Sequence, residues 1–281
     1  MPELPEVETI KRGLEKLVLN KKIVQVDILE KKSFLGEKTS ILNTKIINLR
    51  RRGKALIIDL DNKKSILVHL RMTGQLVFCG KERFGGGHPS ENFVENLPNQ
   101  QTRIFLKFED NDELFFNDQR KFGFFKIMDT DEIEKDDFIK RLGKEPWDIS
   151  PKELFERIRK KNSTIKAAIL DQTIIAGLGN IYADESLFFA GVRPDRKCSK
   201  LSLHEVEKIV EGAKKSMEDS LSSGGSTIRN YVKADGSRGN YLDLFANVYG
   251  REGKKCVKCG EEIKKMRVAG RGTHYCPRCQ K

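Results

Sequence analysis

The 281-residue chain has no run of roughly 18 consecutive apolar residues, so a membrane-spanning helix is not expected. It has neither a basic flank nor an apolar stretch at its start. Met1-Pro2-Glu3-Leu4-Pro5-Glu6 is acidic and amphipathic, so no secretory leader is expected. No internal repeat is evident. The chain is also short of acid: 41 Asp and Glu stand against 53 Lys and Arg, a formal net charge of +12. Disorder is not expected either, because long alternating apolar runs are present and can fill a core.

What is present is a concentrated excess of base. Gly250–Lys281 holds ten Lys and Arg against three Asp and Glu, +7 of the +12. A local positive field of this kind suits a polyanion, nucleic acid first and an anionic membrane second. On charge alone, a merely soluble basic surface is an alternative. Four of the six cysteines form two Cys-x2-Cys pairs, Cys256/Cys259 and Cys276/Cys279, separated by 16 residues. Without a leader, disulfides are not expected and a metal is.

Two patterns follow one another along the chain. After an opening helix, Lys22–Glu30, Ala55–Leu60, Ser65–Leu70, Gln75–Cys79, Arg103–Phe108, Glu113–Phe116 and Gly123–Met128 read as short strands rich in Ile, Val, Phe and Leu, most of them bounded by Gly, Asn or Asp turns. Strands at this spacing predict an antiparallel sandwich or barrel. Gly80–Gln101 reads as a long polar loop containing Gly85-Gly86-Gly87. From Asp131 the period changes. Ser150-Pro151-Lys152-Glu153 carries a capping Ser, an N1 Pro and a Glu, so a helix starts there. Further helices are predicted at Ser163–Asp171, Asn180–Ala190 and Ser202–Leu221, with a domain boundary near residues 131–150. The fold class is α+β: an N-terminal antiparallel β-sandwich with a leading helix, then a helical domain ending in a cysteine hairpin.

Four thiolates placed tetrahedrally satisfy zinc with no open position, so one structural Zn2+ held by Cys256, Cys259, Cys276 and Cys279 is expected. Redox thiols, or a site using His274, are the alternatives. The intervening residues predict a hairpin, Glu262–Val268 going up and His274-Tyr275 returning, with Gly270-Arg271-Gly272 at its turn. Arg271 there suits a phosphate backbone. Cys79 and Cys198 read as isolated thiols without a role.

At the other end, Met1 precedes a small residue and is expected to be removed, exposing the secondary amine of Pro2. An α-amino group, with a pKa near 7.7–8.0, is roughly one-third unprotonated at pH 7.5, against about one part in a thousand for a lysine. Attack by a secondary amine on a sugar C1′ gives an iminium ion that stays cationic and can draw electrons from the neighbouring carbons. Glu3 lies beside that amine, and Glu6 lies on the same helix face. One carboxylate can shuttle protons while the other accepts backbone N–H groups of the first turn. Read alone, the segment is also an ordinary helix start.

Pro2-Glu3-Leu4-Pro5-Glu6-Val7-Glu8-Thr9 resembles the opening of the bacterial formamidopyrimidine-DNA glycosylase (Fpg) family. Gly177-Leu178-Gly179-Asn180-Ile181-Tyr182-Ala183-Asp184-Glu185 is similar to that family's helix–two-turns–helix segment, and Gly270-Arg271-Gly272-Thr273-His274-Tyr275-Cys276-Pro277 to its zinc finger. The three motifs bracket nearly the whole chain in the family's order. The resemblance implies a bifunctional glycosylase and abasic-site lyase that removes 8-oxoguanine and formamidopyrimidines from damaged double-stranded DNA. Pro2 is implied as nucleophile, Glu3 as proton donor and Glu6 as support, with Lys54 and Arg271 completing the catalytic set.

It implies DNA contacts by His69, Lys166, Asn180 and Tyr241, and wedges from Met72, Arg120 and Phe122 that fill the space left by an extruded nucleotide. The implied partition is a catalytic sandwich over residues 2–134, a helix–two-turns–helix region over 147–221, a lid over 222–247 and a zinc finger over 248–281. A monomeric bacterial cytoplasmic enzyme without membrane or redox cofactor is expected. Two alternatives stand beside it: an endonuclease VIII-type enzyme for oxidised pyrimidines, and a non-catalytic zinc-ribbon DNA-binding protein.

Overall fold

The computed structural model describes residues 1–88, 96–223 and 241–281. They form two compact units, one built on Met1–Lys140 and the other on Arg141–Ser222 with Tyr241–Lys281.

The first unit opens with helix α1 (Leu4–Val18), whose apolar residues Val7, Ile10, Leu14 and Val18 line one face and enter the core. Ten strands follow: β1 (Ile23–Ile28), β2 (Phe34–Leu35), β3 (Ile46–Arg52), β4 (Ala55–Leu60), β5 (Lys64–His69), β6 (Gly74–Cys79), β7 (Arg83–Gly87), β8 (Thr102–Phe108), β9 (Glu113–Asp118) and β10 (Phe124–Asp129). They make two five-stranded sheets, in the orders β1-β8-β9-β6-β7 and β2-β10-β5-β4-β3. Every pairing is antiparallel except the short contact of β2 with β10. The core lies between the sheets: Leu76, Ile104 and Phe116 from one meet Leu56, Ile66 and Phe125 from the other. The Phe116 and Phe125 rings are 5.1 Å apart across that interface. A short helix, α2 (Asp137–Lys140), ends the unit.

Three strands depart from the sequence expectation, the first of them β2, whose two residues are too few to show an alternation. Residues 83–87, expected within a polar loop, form β7, because its glycines meet α1 directly. A Cβ on Gly86 would stand 2.4 Å from Cγ1 of Ile10. The strand therefore has almost no apolar pattern to read. β3 was hidden by its run of arginines, which ion pairs hold in place: Arg50 bonds Asp59 at 2.9 Å and Arg51 bonds Glu8 at 3.0 Å.

In the second unit, helix α3 (Pro151–Ile158) is capped by Ser150, whose hydroxyl accepts the N–H of Glu153 at 3.2 Å. Helices α4 (Ile165–Leu170), α5 (Asn180–Ala190) and α6 (Leu203–Ser222) follow. Helix α5 ends at Gly191 in the left-handed region, φ +70°. Gly212 lets α5 and α6 approach closely, since a Cβ there would come within 2.9 Å of the Ser186 carbonyl. Helix α7 (Tyr241–Leu244) leads into the cysteine segment and the hairpin β11 (Lys264–Val268) and β12 (Arg271–Tyr275). That hairpin turns one residue earlier than expected. Ala269 and Gly270 both have positive φ, +51° and +72°. This is the backbone a two-residue hairpin turn requires, and Arg271 becomes the first residue of the returning strand.

Candidate functional site

In the first unit, the residues singled out near the amino terminus gather at the start of α1. Pro2 is buried behind an exposed Met1. Glu3 and Glu6 are 3% and 2% exposed, and Glu6 Oε2 accepts the backbone N–H of Glu3 at 2.8 Å. One carboxylate of the pair thus secures the turn that carries the other. Lys54 is buried at the β3–β4 hairpin, beside Gly53 at φ +56°. His69 pairs with Ala55 on the adjacent strand. Its ring lies 6.0 Å from that of Phe124 and 5.1 Å from that of Phe138, and its Nδ1 accepts the Arg71 N–H at 2.9 Å. Burial, then the charges of Arg71 and Lys54, lower its pKa to about 3. His69 is therefore a neutral imidazole that offers only its Nε2–H.

Two inter-strand tips carry the remaining first-unit residues. Met72 is half-buried in the β5–β6 turn, closed by Gly74 N donating to Leu70 O at 2.9 Å. Arg120 and Phe122 stand on the β9–β10 turn, Phe122 at 55% exposure with the Arg120 guanidinium 5.0 Å from its ring centre. The tips share an anchor. Fully buried Asp118 accepts the Thr73 hydroxyl from one turn, and the N–H groups of Arg120 (3.2 Å), Phe122 (2.8 Å) and Gly123 (2.7 Å) from the other. An exposed phenylalanine needs a reason to stay out of the core, and this carboxylate holds the backbone that presents Phe122.

In the second unit, Asn180 opens α5 after Gly179, and its side-chain amide donates to Gly272 O at 2.9 Å. Its Oδ1 is buried without a hydrogen-bond partner among the described residues. Arg271, next to Gly272, is exposed. Lys166 is fully buried rather than presented to solvent: its Nζ lies 2.6 Å from Asp184 Oδ1 and 2.7 Å from Thr273 Oγ1. Asp184 also accepts the His274 N–H at 2.9 Å, so α4, α5 and β12 are locked by one buried ion pair. Glu185, the next residue, accepts four hydrogen bonds from Asn247, Val248 and Tyr249, against a burial that pushes its carboxyl pKa up. The side chain of Tyr241 and residues 224–240 of the expected lid lie outside the described residues.

The four cysteines of the hairpin bring their sulfurs within 4.8 Å of one another. Cys259–Cys276 and Cys256–Cys279 are separated by 3.5 and 3.9 Å. A zinc–sulfur bond of about 2.3 Å gives a tetrahedral edge of about 3.8 Å, so the donor set fits zinc. The Cys259 thiol is drawn down to about 7 by the Glu261 backbone N–H, whereas burial pushes Cys276 and Cys279 up. A cation bound among them would deprotonate its thiol ligands. His274 stands outside the cluster, packed on Tyr249 with ring centres 5.2 Å apart. Cys79 and Cys198 are pushed up by burial, which makes them poor nucleophiles.

Three family models match in sequence order: the formamidopyrimidine-DNA glycosylase N-terminal domain over residues 1–125, its H2TH domain over 142–232, and the zinc finger found in FPG and IleRS over 253–281. The chain belongs to the formamidopyrimidine-DNA glycosylase family. Formamidopyrimidine-DNA glycosylases of Pelotomaculum thermopropionicum and Listeria monocytogenes are each 39% identical to it over its whole length, with 99% and 100% of the relatives covered. Among solved structures, the complex of wild-type Lactococcus lactis Fpg with DNA containing an N7-benzyl-Fapy-dG matches at TM-score 0.87 and 33% identity. The same enzyme with DNA containing an abasic site matches at 0.86 and 32%. Both alignments cover 100% of each chain. These matches give no support to the alternative of a zinc ribbon without catalysis.

Within the glycosylase fold, three carboxylates escaped the sequence reading: Asp118, Asp184 and Glu185. Each is buried and accepts backbone N–H groups. Asp118 precedes a polar inter-strand turn, which is a usable sign of an Asx-type anchor. Nothing in the spacing of Asp184 or Glu185 points to partners 60 to 90 residues away.

Proposed function

We propose that this chain is a bifunctional DNA glycosylase and abasic-site lyase that excises 8-oxoguanine and formamidopyrimidines from duplex DNA in bacterial base excision repair, acting in the cytoplasm as a monomer. The working partition is a catalytic sandwich (2–134), a helix–two-turns–helix region (147–221), a lid (222–247) and a zinc finger (248–281). The observation that carries the reading is the buried turn in which Glu6 holds the N–H of Glu3 immediately after buried Pro2.

With Met1 removed, the Pro2 nitrogen bonds C1′ of the damaged nucleoside and the base departs, protonated through Glu3. Ring opening gives an iminium ion between Pro2 and C1′. That cation acidifies the C2′ hydrogens and drives β-elimination of the 3′ phosphate, then δ-elimination of the 5′ phosphate. The product is a one-nucleoside gap with phosphate at both ends. Lys54 and Arg271 meet phosphates flanking the lesion, Asn180 adds a contact at the start of α5, and Met72, Arg120 and Phe122 occupy the vacated stack. His69, Lys166 and Tyr241 complete the DNA-binding set, with Lys166 acting through the hairpin it anchors. Zinc held by Cys256, Cys259, Cys276 and Cys279 shapes the hairpin and takes no chemical part.

Borohydride treatment during turnover of 8-oxoguanine duplex tests this. A covalent adduct is expected at Pro2, and an adduct mapping to a lysine overturns the assignment. A lesion panel of 8-oxoguanine against thymine glycol separates this reading from the endonuclease VIII type.

A further inference from the structure

Strand β7 runs along α1 in the opposite direction. A Cβ on Gly13 would collide with the Phe84 ring, and one on Gly86 would stand 2.4 Å from Ile10. Two strand residues thus pass three helical residues, so the next such step carries residue 88 opposite Val7, in the first turn of α1. That residue is His88. Its backbone is fixed at both ends: its N–H donates to Gly74 O at 3.1 Å, and its carbonyl accepts from the Gln75 side chain. Its Nδ1 is buried and has no hydrogen-bond partner among the described residues. Burial, then the ammonium at the chain start, lower the His88 pKa, while Asp118 opposes them. Removal of Met1 brings the amine inward by one residue, about 3.8 Å, to Pro2.

We propose that His88 is the proton acceptor for the Pro2 nitrogen: its Nδ1 lone pair receives the N–H of the amine and takes that proton once C1′ has been attacked. The inference rests on Pro2 being the nucleophile. Attack forms the N–C1′ bond, and the base leaves with the electron pair of its own bond to C1′. The nitrogen is then a tertiary ammonium bearing one hydrogen, with no lone pair to expel O4′. Transfer of that proton to His88 restores the pair. The pair becomes the second bond of the C1′=N+ iminium as the C1′–O4′ bond breaks, and the imidazolium proton returns to the sugar oxygen. No oxidant or reductant is required. The charged groups that act on His88 are the ammonium at the chain start and Asp118 at the end of β9, and the carboxylates next to the amine in sequence are Glu3 and Glu6 on α1. Glu6 already accepts the Glu3 N–H, and Asp118 already accepts the β9–β10 turn.

The test is single-turnover borohydride trapping of the mature protein on a duplex with a natural abasic site, as a function of pH, for wild type, His88→Ala and His88→Gln. Affinity is measured separately on an uncleavable abasic analogue. The expected result is trapping slowed about 10²-fold in both variants at unchanged affinity, with loss of the imidazole-dependent part of the acid limb. Added imidazole is expected to restore His88→Ala, where a cavity admits it, and not His88→Gln. Wild-type rates and an unchanged pH profile in both variants overturn the proposal. So does a slowing that follows weakened affinity and does not respond to imidazole. A wild-type protein that gives no Pro2 adduct overturns instead the nucleophile on which the step depends.

Discussion

At Asp118 a carboxylate with no exposed surface accepts a hydroxyl and several backbone N–H groups, and so joins the turns that carry Met72 and Phe122. Replacing it by alanine leaves those donors buried without an acceptor. We expect Asp118→Ala to lower stability by about 3 kcal/mol in urea denaturation and to weaken binding to lesion duplex. Asp118→Asn, which keeps one acceptor oxygen, should fall between. His69 has the opposite relation to protons. The native state holds its pKa at about 3, below the ordinary 6.5, so the unfolded chain binds a proton that the native chain does not. Stability therefore falls as pH drops from 6.5 towards 3, by up to about 1.4 kcal/mol per pH unit from this group. Denaturation of wild type and His69→Gln across that window should show a shallower slope in the variant.

Among the elements, α1 is positioned by strands that leave it no room. Gly86→Ala sets a methyl against Ile10, and pushing the helix start costs about 1–3 kcal/mol. It should also slow Schiff-base trapping, because Glu3 and Glu6 ride on the displaced turn. Wild-type Tm together with wild-type trapping would refute the close contact. In the second unit, the Lys166–Asp184 pair fastens β12 to α4 and α5 at 0% exposure of both side chains. Lys166→Ala abandons a buried carboxylate, at a cost of about 3–5 kcal/mol. Faster zinc release to a chelator is the expected readout, since the hairpin loses its anchor.

For the whole molecule, the charge distribution sets the salt response. The net charge of +12 is concentrated in the final segment, which also carries Arg271. If Arg271 neutralises one phosphate, Arg271→Ala should reduce the slope of log affinity against log salt by about 0.9. An unaltered slope would remove Arg271 from the contact. Stripping zinc should abolish DNA binding while the first unit stays folded, because the described residues of its core cluster all lie between Val7 and Phe125.

Much of this protein was readable from short-range pattern. The strands of the sandwich, the Ser150 cap, the thiol spacing and the amine-plus-carboxylate opening are all local, since alternation, capping and chelate geometry act over a few residues. β3 and β7 were not readable, because arginine pairs and glycines against a helix replace apolar alternation there. Tertiary structure alone decided that Lys166 is buried, that His69 is neutral, that Asp118 commands two turns, and that the Nδ1 of His88 is buried. Each of these depends on distant segments meeting, where burial and hydrogen bonding reset what a side chain can do.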